Sequence, residues 1–342
     1  MMRRRCLLPL LLLSTGLSTG CRHPVVSADV REAPRPKPAV SPPAGNNWPI
    51  PPLEAERLLG ASRLELVSIE ATTKGVAGAY KGVVTFPDDG RRATVKWKHV
   101  PRGLDSWNNN PRKEIATYAI QRYFLEPRDY VVPTTVLRCV PVDRYRTLDP
   151  TAAEATTEGT KCVLGTLSLW LEHVKEPDPL YDPARFARDP WYAYHLADFN
   201  VLAYLVEHRD GRPGNILVSD DERNRFVFAV DNGITFGGLV YNFLTTNWDV
   251  MRVPSIPLEA VARLRALDRH TLDQLATVAD MRADARGILR PVRPEAPLDP
   301  DQGVRVRPGR VQLGLTKAEI DGVAERVATL LRQVDDGTLG VF

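Results

Sequence analysis

Two short stretches of the chain carry the residue types that phosphoryl transfer needs. The first reads His208-Arg-Asp-Gly-Arg-Pro-Gly-Asn215, so that Asp210 and Asn215 lie five residues apart, and the second reads Val230-Asp231-Asn-Gly233. In such chemistry one carboxylate orients the attacking hydroxyl and accepts its proton. A second carboxylate and an amide oxygen are hard ligands that suit Mg²⁺ or Mn²⁺. The spacing therefore indicates a site for metal-assisted transfer to a hydroxyl.

The elements around these stretches are those that would bring them together. Asp189 is predicted to cap a helix that begins at Pro190 and runs to about Val206. The apolar runs 215–218 and 226–230 are separated by a polar turn and predict a β-hairpin. Because a hairpin returns the chain, its two ends would face one cleft.

The first half of the chain supplies a cation and a further carboxylate. Alternation predicts strands over 64–71, 80–86 and 93–100, and the third of these places Lys96 and Lys98 on one face. Asn110 is predicted to cap a helix that begins at Pro111, runs to about residue 124 and carries Glu114 near its start. A strand lysine held by a helix glutamate can bind phosphate oxygens. A surface lysine and a solvated glutamate are the alternative interpretation.

Taken together, these motifs resemble the catalytic loop of protein kinases, HRD-x4-N followed by D-x-G. The stretch from Asp231 to Gly237 and the Glu-Ile-Ala start at Glu114 are more similar to the secreted Golgi casein-kinase and four-jointed family of atypical kinases. The resemblance implies that Asp210 is the catalytic base and that Asn215 and Asp231 hold the metal. It implies ATP as donor and Mg²⁺ or Mn²⁺ as cofactor.

The same resemblance assigns the nucleotide-binding residues. Lys96, paired with Glu114, is expected to hold the phosphates, with Lys98 as its rival because both point the same way. The loop Thr72-Thr-Lys-Gly75-Val-Ala-Gly78 precedes the lysine strand by one hairpin. Its glycines, Gly75 and Gly78, would let backbone N–H groups approach the phosphates.

Three departures from the kinase pattern bear on the substrate. Arg212 stands where kinases have a lysine two places after the catalytic Asp, and Asn232 replaces the Phe of the metal motif. Arginine binds phosphate with a different geometry from lysine. No activation segment ending in Ala-Pro-Glu follows Gly233. The acceptor, protein Ser/Thr or sugar, is therefore left open.

The N-terminus predicts export and lipidation. Arg3, Arg4 and Arg5 precede the apolar run 6–13, and Leu17-Ser-Thr-Gly-Cys21 resembles a bacterial lipobox with its aliphatic residue one place early. We therefore expect a signal peptide over 1–20, a lipidated Cys21 and a Pro-rich linker over 21–52 that tethers the domain to a membrane. The expected location is the cell envelope, on the extracytoplasmic side (periplasmic face or outer membrane). An ordinary secretory signal with an incidental cysteine is the alternative.

Charge and cysteine content add two expectations. The chain has 45 Lys and Arg against 42 Asp and Glu, and the three arginines of the signal account for the whole excess. A near-neutral mature chain offers no footprint for nucleic acid. Cys139 and Cys162 are expected to form a disulfide in an oxidising compartment, with two buried free thiols as the alternative.

The predicted fold is α+β: a two-lobed, protein-kinase-like fold with a β-rich N-lobe over 53–173 and a helical C-lobe over 174–342. Later helices are expected near 258–267, 271–279 and 316–334, the last with a capping box of Thr316 and Glu319. The predicted function is an exported lipoprotein kinase that transfers the γ-phosphate of ATP to a hydroxyl. The alternatives are a catalytically weak or inactive kinase-like binding lipoprotein, since bacterial extracytoplasmic space is poor in ATP, and a structural lipoprotein whose motif matches are accidental.

Overall fold

The structure, a computed structural model, describes residues 47–61, 63–72, 78–106, 109–151, 154–177, 179–212, 214–221, 226–237 and 247–342. All of them fall within one compact unit. The predicted signal peptide, most of the predicted linker, Cys21 and Gly75 lie outside the described residues.

A five-stranded antiparallel sheet forms the first half of the unit, with strand order β1-β2-β3-β5-β4. Its strands are β1 (Glu65–Ala71), β2 (Ala79–Thr85), β3 (Arg92–His99), β4 (Thr135–Pro141) and β5 (Cys162–Leu169). The helix α1 (Pro52–Glu56) precedes the sheet, and α3 (Val142–Leu148), which the sequence analysis missed, follows β4. Every residue of β5 is buried, as expected of a strand inside a sheet that is covered on both faces.

The helix that carries Glu114 is α2 (Pro111–Gln121), and it is buried on most of its surface. Asn110 precedes it without a side-chain capping bond, and the Asn110 amide donates to the Ser106 carbonyl. At its other end the buried Gln121 accepts from the N–H groups of Val131 and Val132. This bonding keeps those two residues out of the sheet, so β4 begins at Thr135.

The predicted long helix and hairpin are present. Asp189 caps α5 (Pro190–Leu205) through the N–H of Tyr192. A short helix α4 (Pro183–Arg188) comes before it, and the small sheet β6 (Val174–Lys175), β7 (Ile216–Ser219) and β8 (Val227–Ala229) holds the hairpin. The hairpin therefore rests on a helix that is buried along nearly its whole length.

The C-terminal part is not purely helical, which corrects the prediction of a helical C-lobe. It contains a four-stranded antiparallel sheet of order β11-β10-β13-β12. The strands are β10 (Ala279–Ala283), β11 (Leu289–Val292), β12 (Val304–Arg307) and β13 (Arg310–Leu313). The run Val304-Arg-Val-Arg307 does alternate apolar and charged residues, which is the pattern of a strand, and Gly309 at φ 69° turns the chain back into β13.

Helices and a two-stranded pair complete the C-terminal part. The helices are α6 (Leu258–Arg265), α7 (Arg269–Asp273) and α8 (Lys317–Asp335), and β14 (Gly340–Val341) pairs with β9 (Ser255–Ile256). The helix predicted over 271–279 ends at Asp273 and continues as a 3₁₀ turn to Ala276. The capping box of Thr316 and Glu319 is present at the start of α8.

The two sheets meet in a small hydrophobic cluster that includes Ile115 of α2, Leu137 of β4 and Leu289 of β11. Beside it Cys139 and Cys162, the predicted pair, form a disulfide that joins β4 to β5. The N–H of Leu289 donates to Cys162 Sγ at 3.3 Å. The second sheet therefore packs against the disulfide and against the outer side of α2.

The predicted α+β architecture, with a strand-rich first half and helices after it, is confirmed. The division into lobes at residue 173 stays a prediction. Within the part of the chain that the structure describes, no helix has the length and apolar character needed to span a membrane.

Candidate active site

Strand β3 places two lysines on one face of the first sheet. Ala93, Val95 and Trp97 are buried on the opposite face, so Lys96 and Lys98 share the other face, as alternation requires. The Lys98 side chain is only 1% exposed, whereas that of Lys96 is 19% exposed. The two lysines thus differ in depth although the sequence pattern treats them alike.

Glu114 pairs with Lys98, which corrects the predicted Lys96–Glu114 pair. Lys98 Nζ lies 2.7 Å from Glu114 Oε1 and 2.8 Å from Asp231 Oδ1. Lys96 Nζ instead lies 3.3 Å from the same Asp231 oxygen. Lys98 and not Lys96 pairs with Glu114 because Lys98 lies two residues closer to the chain segment that leads into α2.

The charges of this cluster stabilise one another. Burial disfavours the ammonium form of Lys98, but the carboxylates of Glu114 and Asp231 outweigh it and raise the pKa of Lys98. Burial likewise disfavours the charged form of Asp231, but Lys96 and Lys98 lower the pKa of this carboxyl well below its usual value. Lys98 and Asp231 are therefore both ionised at neutral pH, as close opposite charges require.

The hairpin brings the segment that contains Asn215 and the segment that contains Asp231 together at its open end. The N–H of Val230 donates to the carbonyl of Asn215 at 2.8 Å, which places Asp231 beside Asn215. Asp231 has a φ of 61°, a conformation that is uncommon for residues other than glycine. From this left-handed backbone position its carboxylate contacts Lys96 and Lys98.

The side chains of Asp210 and Asn215 are hydrogen-bonded to each other. The Asn215 amide Nδ2 donates to Asp210 Oδ2 at 2.8 Å and to the Asp210 carbonyl at 3.1 Å. Arg212 Nε lies 3.4 Å from Asp210 Oδ2. With its amide nitrogen used in this way, Asn215 has its amide oxygen left to accept from or ligate another group.

A cavity of 930 Å³ lies between the first sheet and the hairpin, within the usual size range of ligand pockets. Residues singled out from the sequence line it, among them Lys96, Glu114, Arg212, Asn215, Asp231 and Asn232. Asp210 contacts two of these lining residues, Asn215 and Arg212. The structure therefore brings together the side chains that the kinase resemblance predicted to meet.

The glycine loop is only partly described. Gly78 adopts φ 63° immediately before β2, and the Thr72 hydroxyl donates to the Ala79 carbonyl at 2.9 Å across the base of the loop. Thr72 and Ala79 line the cavity. The predicted contact of Gly75 and Gly78 with phosphate stays a prediction.

The donor set suits a hard divalent cation. The described residues contain no group of three or more His, Cys, Asp and Glu placed to hold a metal by themselves. A cation here would be bound by the Asp231 carboxylate, the Asn215 amide oxygen and oxygens of a bound ligand, which is how Mg²⁺ sites on phosphate ligands are built. Asn215 and Asp231 thus fit the metal role that the resemblance implies.

Sequence reasoning missed the residues that hold α2 in place. The buried Lys113 donates to the Thr235 carbonyl at 2.6 Å, which links α2 to the segment just after Asp231. Arg112 pairs with Glu319 of α8 at 2.7 Å and with Asp105 at 3.0 Å. Their proximity to Glu114 in sequence is the only signal that could have drawn attention to them.

The sequence matches no protein-family model and no curated protein. Two of the solved structures that resemble the chain have 12% sequence identity to it, over 83% of this chain and 75% of the other. One is described as the Golgi casein kinase, with a TM-score of 0.48, and the other as the Golgi casein kinase with Mn/ADP bound, with a TM-score of 0.46. Similarity at this level assigns no function, so the functional proposal depends on the chain's own residues.

Proposed function

We propose that this chain is a metal-dependent kinase that transfers the γ-phosphate of ATP to a hydroxyl acceptor. The observation that carries the proposal is the convergence of Lys98, Glu114 and Asp231 in a buried cluster beside the bonded pair Asp210 and Asn215. An ammonium group fixed by two carboxylates, next to an amide oxygen and a further carboxylate, is the set of parts that phosphoryl transfer requires.

Each residue has a chemical part in this proposal. Asp210 orients the acceptor hydroxyl and accepts its proton while the hydroxyl oxygen bonds to the γ-phosphorus and the bond to the β–γ bridging oxygen breaks. Lys98, positioned by Glu114, holds phosphate oxygens, and Lys96 lies beside it. Asn215 and Asp231 would hold Mg²⁺ or Mn²⁺, which neutralises phosphate charge when bound. Arg212, next to Asp210, adds positive charge where the transferred group passes.

The proposed setting is the cell envelope. The N-terminal pattern ending at Cys21 supports a lipid-anchored protein on the extracytoplasmic side of a membrane, and the disulfide between Cys139 and Cys162 suits an oxidising compartment. The proposed acceptor is a protein Ser/Thr or a glycan, as expected in such a place. The lipid anchor and the acceptor are open to direct measurement, by mass spectrometry of Cys21 and by the transfer assay below.

One observation favours a second candidate, a kinase-like binding lipoprotein with little or no turnover. Asp231 Oδ1 is contacted by two ammonium groups at once, and a carboxylate neutralised in this way is a weaker metal ligand. Nucleotide-dependent thermal stabilisation without any transfer would favour this candidate over the enzyme.

A labelling experiment separates the two candidates. The purified full-length chain is incubated with Mn²⁺ or Mg²⁺, γ-labelled ATP and casein-like peptides or glycans, next to Asp210→Ala and Asp231→Ala variants. We expect label on an acceptor or on the chain itself, lost in both variants. A parallel reaction with α-labelled ATP is the control, and label transferred from the α-position, or label that persists in both variants, contradicts the proposal.

A further inference from the structure

A continuous row of polar side chains crosses the roof of the cavity. In the sheet register Glu70 pairs with Lys81, Lys81 with Lys96, Lys96 with Ser168, and Ser168 with Thr135. Cross-strand partners point to the same face of a sheet, and all five of these residues line the cavity. The row therefore presents polar groups from all five strands to whatever the cavity binds.

Two neighbouring lysines lie in the middle of this row. Lys96 Nζ reaches Asp231 Oδ1 at 3.3 Å, an oxygen that it shares with Lys98. Lys81 Nζ lies 5.1 Å from the centre of the Trp170 ring. An ammonium group has three N–H donors, so both lysines retain donors for a ligand.

The chemistry of this roof does not match the flat face of a nucleobase. The face of a base carries no anionic group that could pair with the two ammonium groups of this roof. Phosphate oxygens supply that anionic partner through short, charge-assisted hydrogen bonds. Glu70, the acidic member of the row, is an exposed residue at its outer end.

The cavity offers apolar surface elsewhere. Leu171, which follows β5, and Leu217 and Val230 of the hairpin all line it. These side chains suit the face of a base. A nucleoside triphosphate can therefore lie with its base against the apolar lining and its phosphate chain beneath the two lysines.

We propose that Lys81 and Lys96 form a phosphate-binding row on the roof of the cleft, so that the cleft selects its donor by the charge of a polyphosphate chain more than by the base. This inference rests on the proposed function for the identity of the ligand as a nucleoside triphosphate. It adds a specificity-determining residue, Lys81, to the site. It also gives Lys96 a role separate from that of Lys98.

The inference predicts that the phosphate chain binds without its base. Displacement of a fluorescent ATP analogue from the full-length chain in Mn²⁺ is measured with inorganic tripolyphosphate and with adenosine as competitors. We expect tripolyphosphate to compete with an affinity within about tenfold of that of ATP, and adenosine not to compete. Adenosine that competes as well as tripolyphosphate, or tripolyphosphate that does not compete, overturns the proposal.

Substitutions of Lys81 and Lys96 test whether these two lysines bind the phosphate chain. Lys81→Met keeps the length of the side chain, removes its charge and leaves Asp231 untouched, so a weakening of tripolyphosphate binding by about tenfold is expected from the lost charge-assisted bond. Lys81→Arg should restore binding, and Lys96→Met should weaken it. Lys317→Met is the matched control, since Lys317 is an exposed lysine of α8 that pairs with Asp321 and not with the cleft. Unchanged binding in Lys81→Met overturns the proposal.

Failure of this inference and failure of the proposed function give different results. If label transfer is absent but tripolyphosphate binds through Lys81, the phosphate-binding row is supported and the kinase reaction is not. If transfer occurs with the same KM for ATP in Lys81→Met and in the unmodified chain, the kinase reaction is supported and the phosphate-binding row is refuted.

Discussion

Lys98 and Glu114 form a buried ion pair in which Nζ and Oε1 are 2.7 Å apart and the two side chains are 1% and 4% exposed. Asp231 completes the cluster from the hairpin at 2.8 Å. The pair thus joins strand β3, helix α2 and the metal motif through a single ammonium group. The Lys98 ammonium group therefore stabilises this region and positions Asp231, the proposed metal ligand.

Loss of Lys98 is therefore expected to be costly. Lys98→Ala leaves Glu114 with a buried, unpaired charge, and removal of one partner of a buried pair typically lowers the free energy of unfolding by about 3–5 kcal/mol. Lys96→Ala is the matched control and should cost much less, because Lys96 is more exposed and makes one longer ion pair. Urea unfolding of both variants measures the difference, and equal losses would contradict the assigned pairing.

The same cluster predicts how stability depends on pH. The folded-state pKa of Asp231 lies below its ordinary value of 3.8, so its contribution is present above that value and is lost as the pH falls toward the folded pKa. The pKa of Lys98 lies above its ordinary value of 10.5, so its contribution is present below that value and is lost as the pH rises through the folded pKa.

We therefore expect a flat stability profile between about pH 5 and pH 9 as far as these two groups are concerned. Thermal unfolding of the unmodified chain and of Asp231→Asn, followed down to about pH 3, measures the acid side. The unmodified chain should lose more stability than the variant over this range. Parallel losses in the two proteins would count against the assigned charges.

Asp210→Asn tests the proposed base with little change in shape. The amide retains an oxygen that accepts from Asn215, so folding and nucleotide binding should be preserved, while proton transfer from the acceptor is lost. General base catalysis contributes about 10²–10⁴-fold to a rate, and kcat should fall by that order with little change in the KM for ATP. Full activity of the variant at neutral pH would remove Asp210 from its role.

Glu319 connects the C-terminal helix to the helix that carries Glu114. It pairs with Arg112 at 2.7 Å and accepts from the N–H of Thr316 at 2.9 Å. Glu319→Gln retains the capping interaction, since Gln serves in a capping box, but loses the charge opposite Arg112. We expect stability to fall by about 1.5–3 kcal/mol, the usual worth of a hydrogen bond to a charged group.

If α2 is positioned by this contact, Glu319→Gln should also lower kcat, because Glu114 orients Lys98 through the same helix. Asp321→Asn is the control on the same helix, because Asp321 is an exposed residue in surface ion pairs, which contribute little. Normal kcat in Glu319→Gln at a temperature where the variant is fully folded would restrict Glu319 to a role in stability.

The disulfide predicts sensitivity to reduction. Cys139 and Cys162 are 23 residues apart in sequence, and closing a loop of that length stabilises a folded chain by about 3 kcal/mol through the entropy of the unfolded state. A reducing agent should therefore lower the Tm of the unmodified chain. It should leave the Tm of Cys139→Ser/Cys162→Ser unchanged, and an equal response of both proteins would show that the bond does not form in solution.

The sequence by itself determined the parts of the site that follow from local spacing. The hairpin between Asn215 and Asp231, the helix begun by Asp189 and Pro190 and the capping box at Thr316 depend on turn residues and caps near in sequence, and these act locally. The α+β order follows for the same reason. The strands β12 and β13 also carry a local signal, since apolar and polar residues alternate along both.

Only the tertiary structure decided which lysine meets Glu114. Lys96 and Lys98 lie on the same face of β3, so a period of two cannot separate them, and their difference arises from the depth at which α2 and Asp231 pack against the strand. The contact of Arg112 with Glu319 joins residues 207 positions apart, and no local pattern reports a partner at that distance. Local spacing predicts side chains that share a face or a turn, whereas the packing of distant elements decides which of them touch.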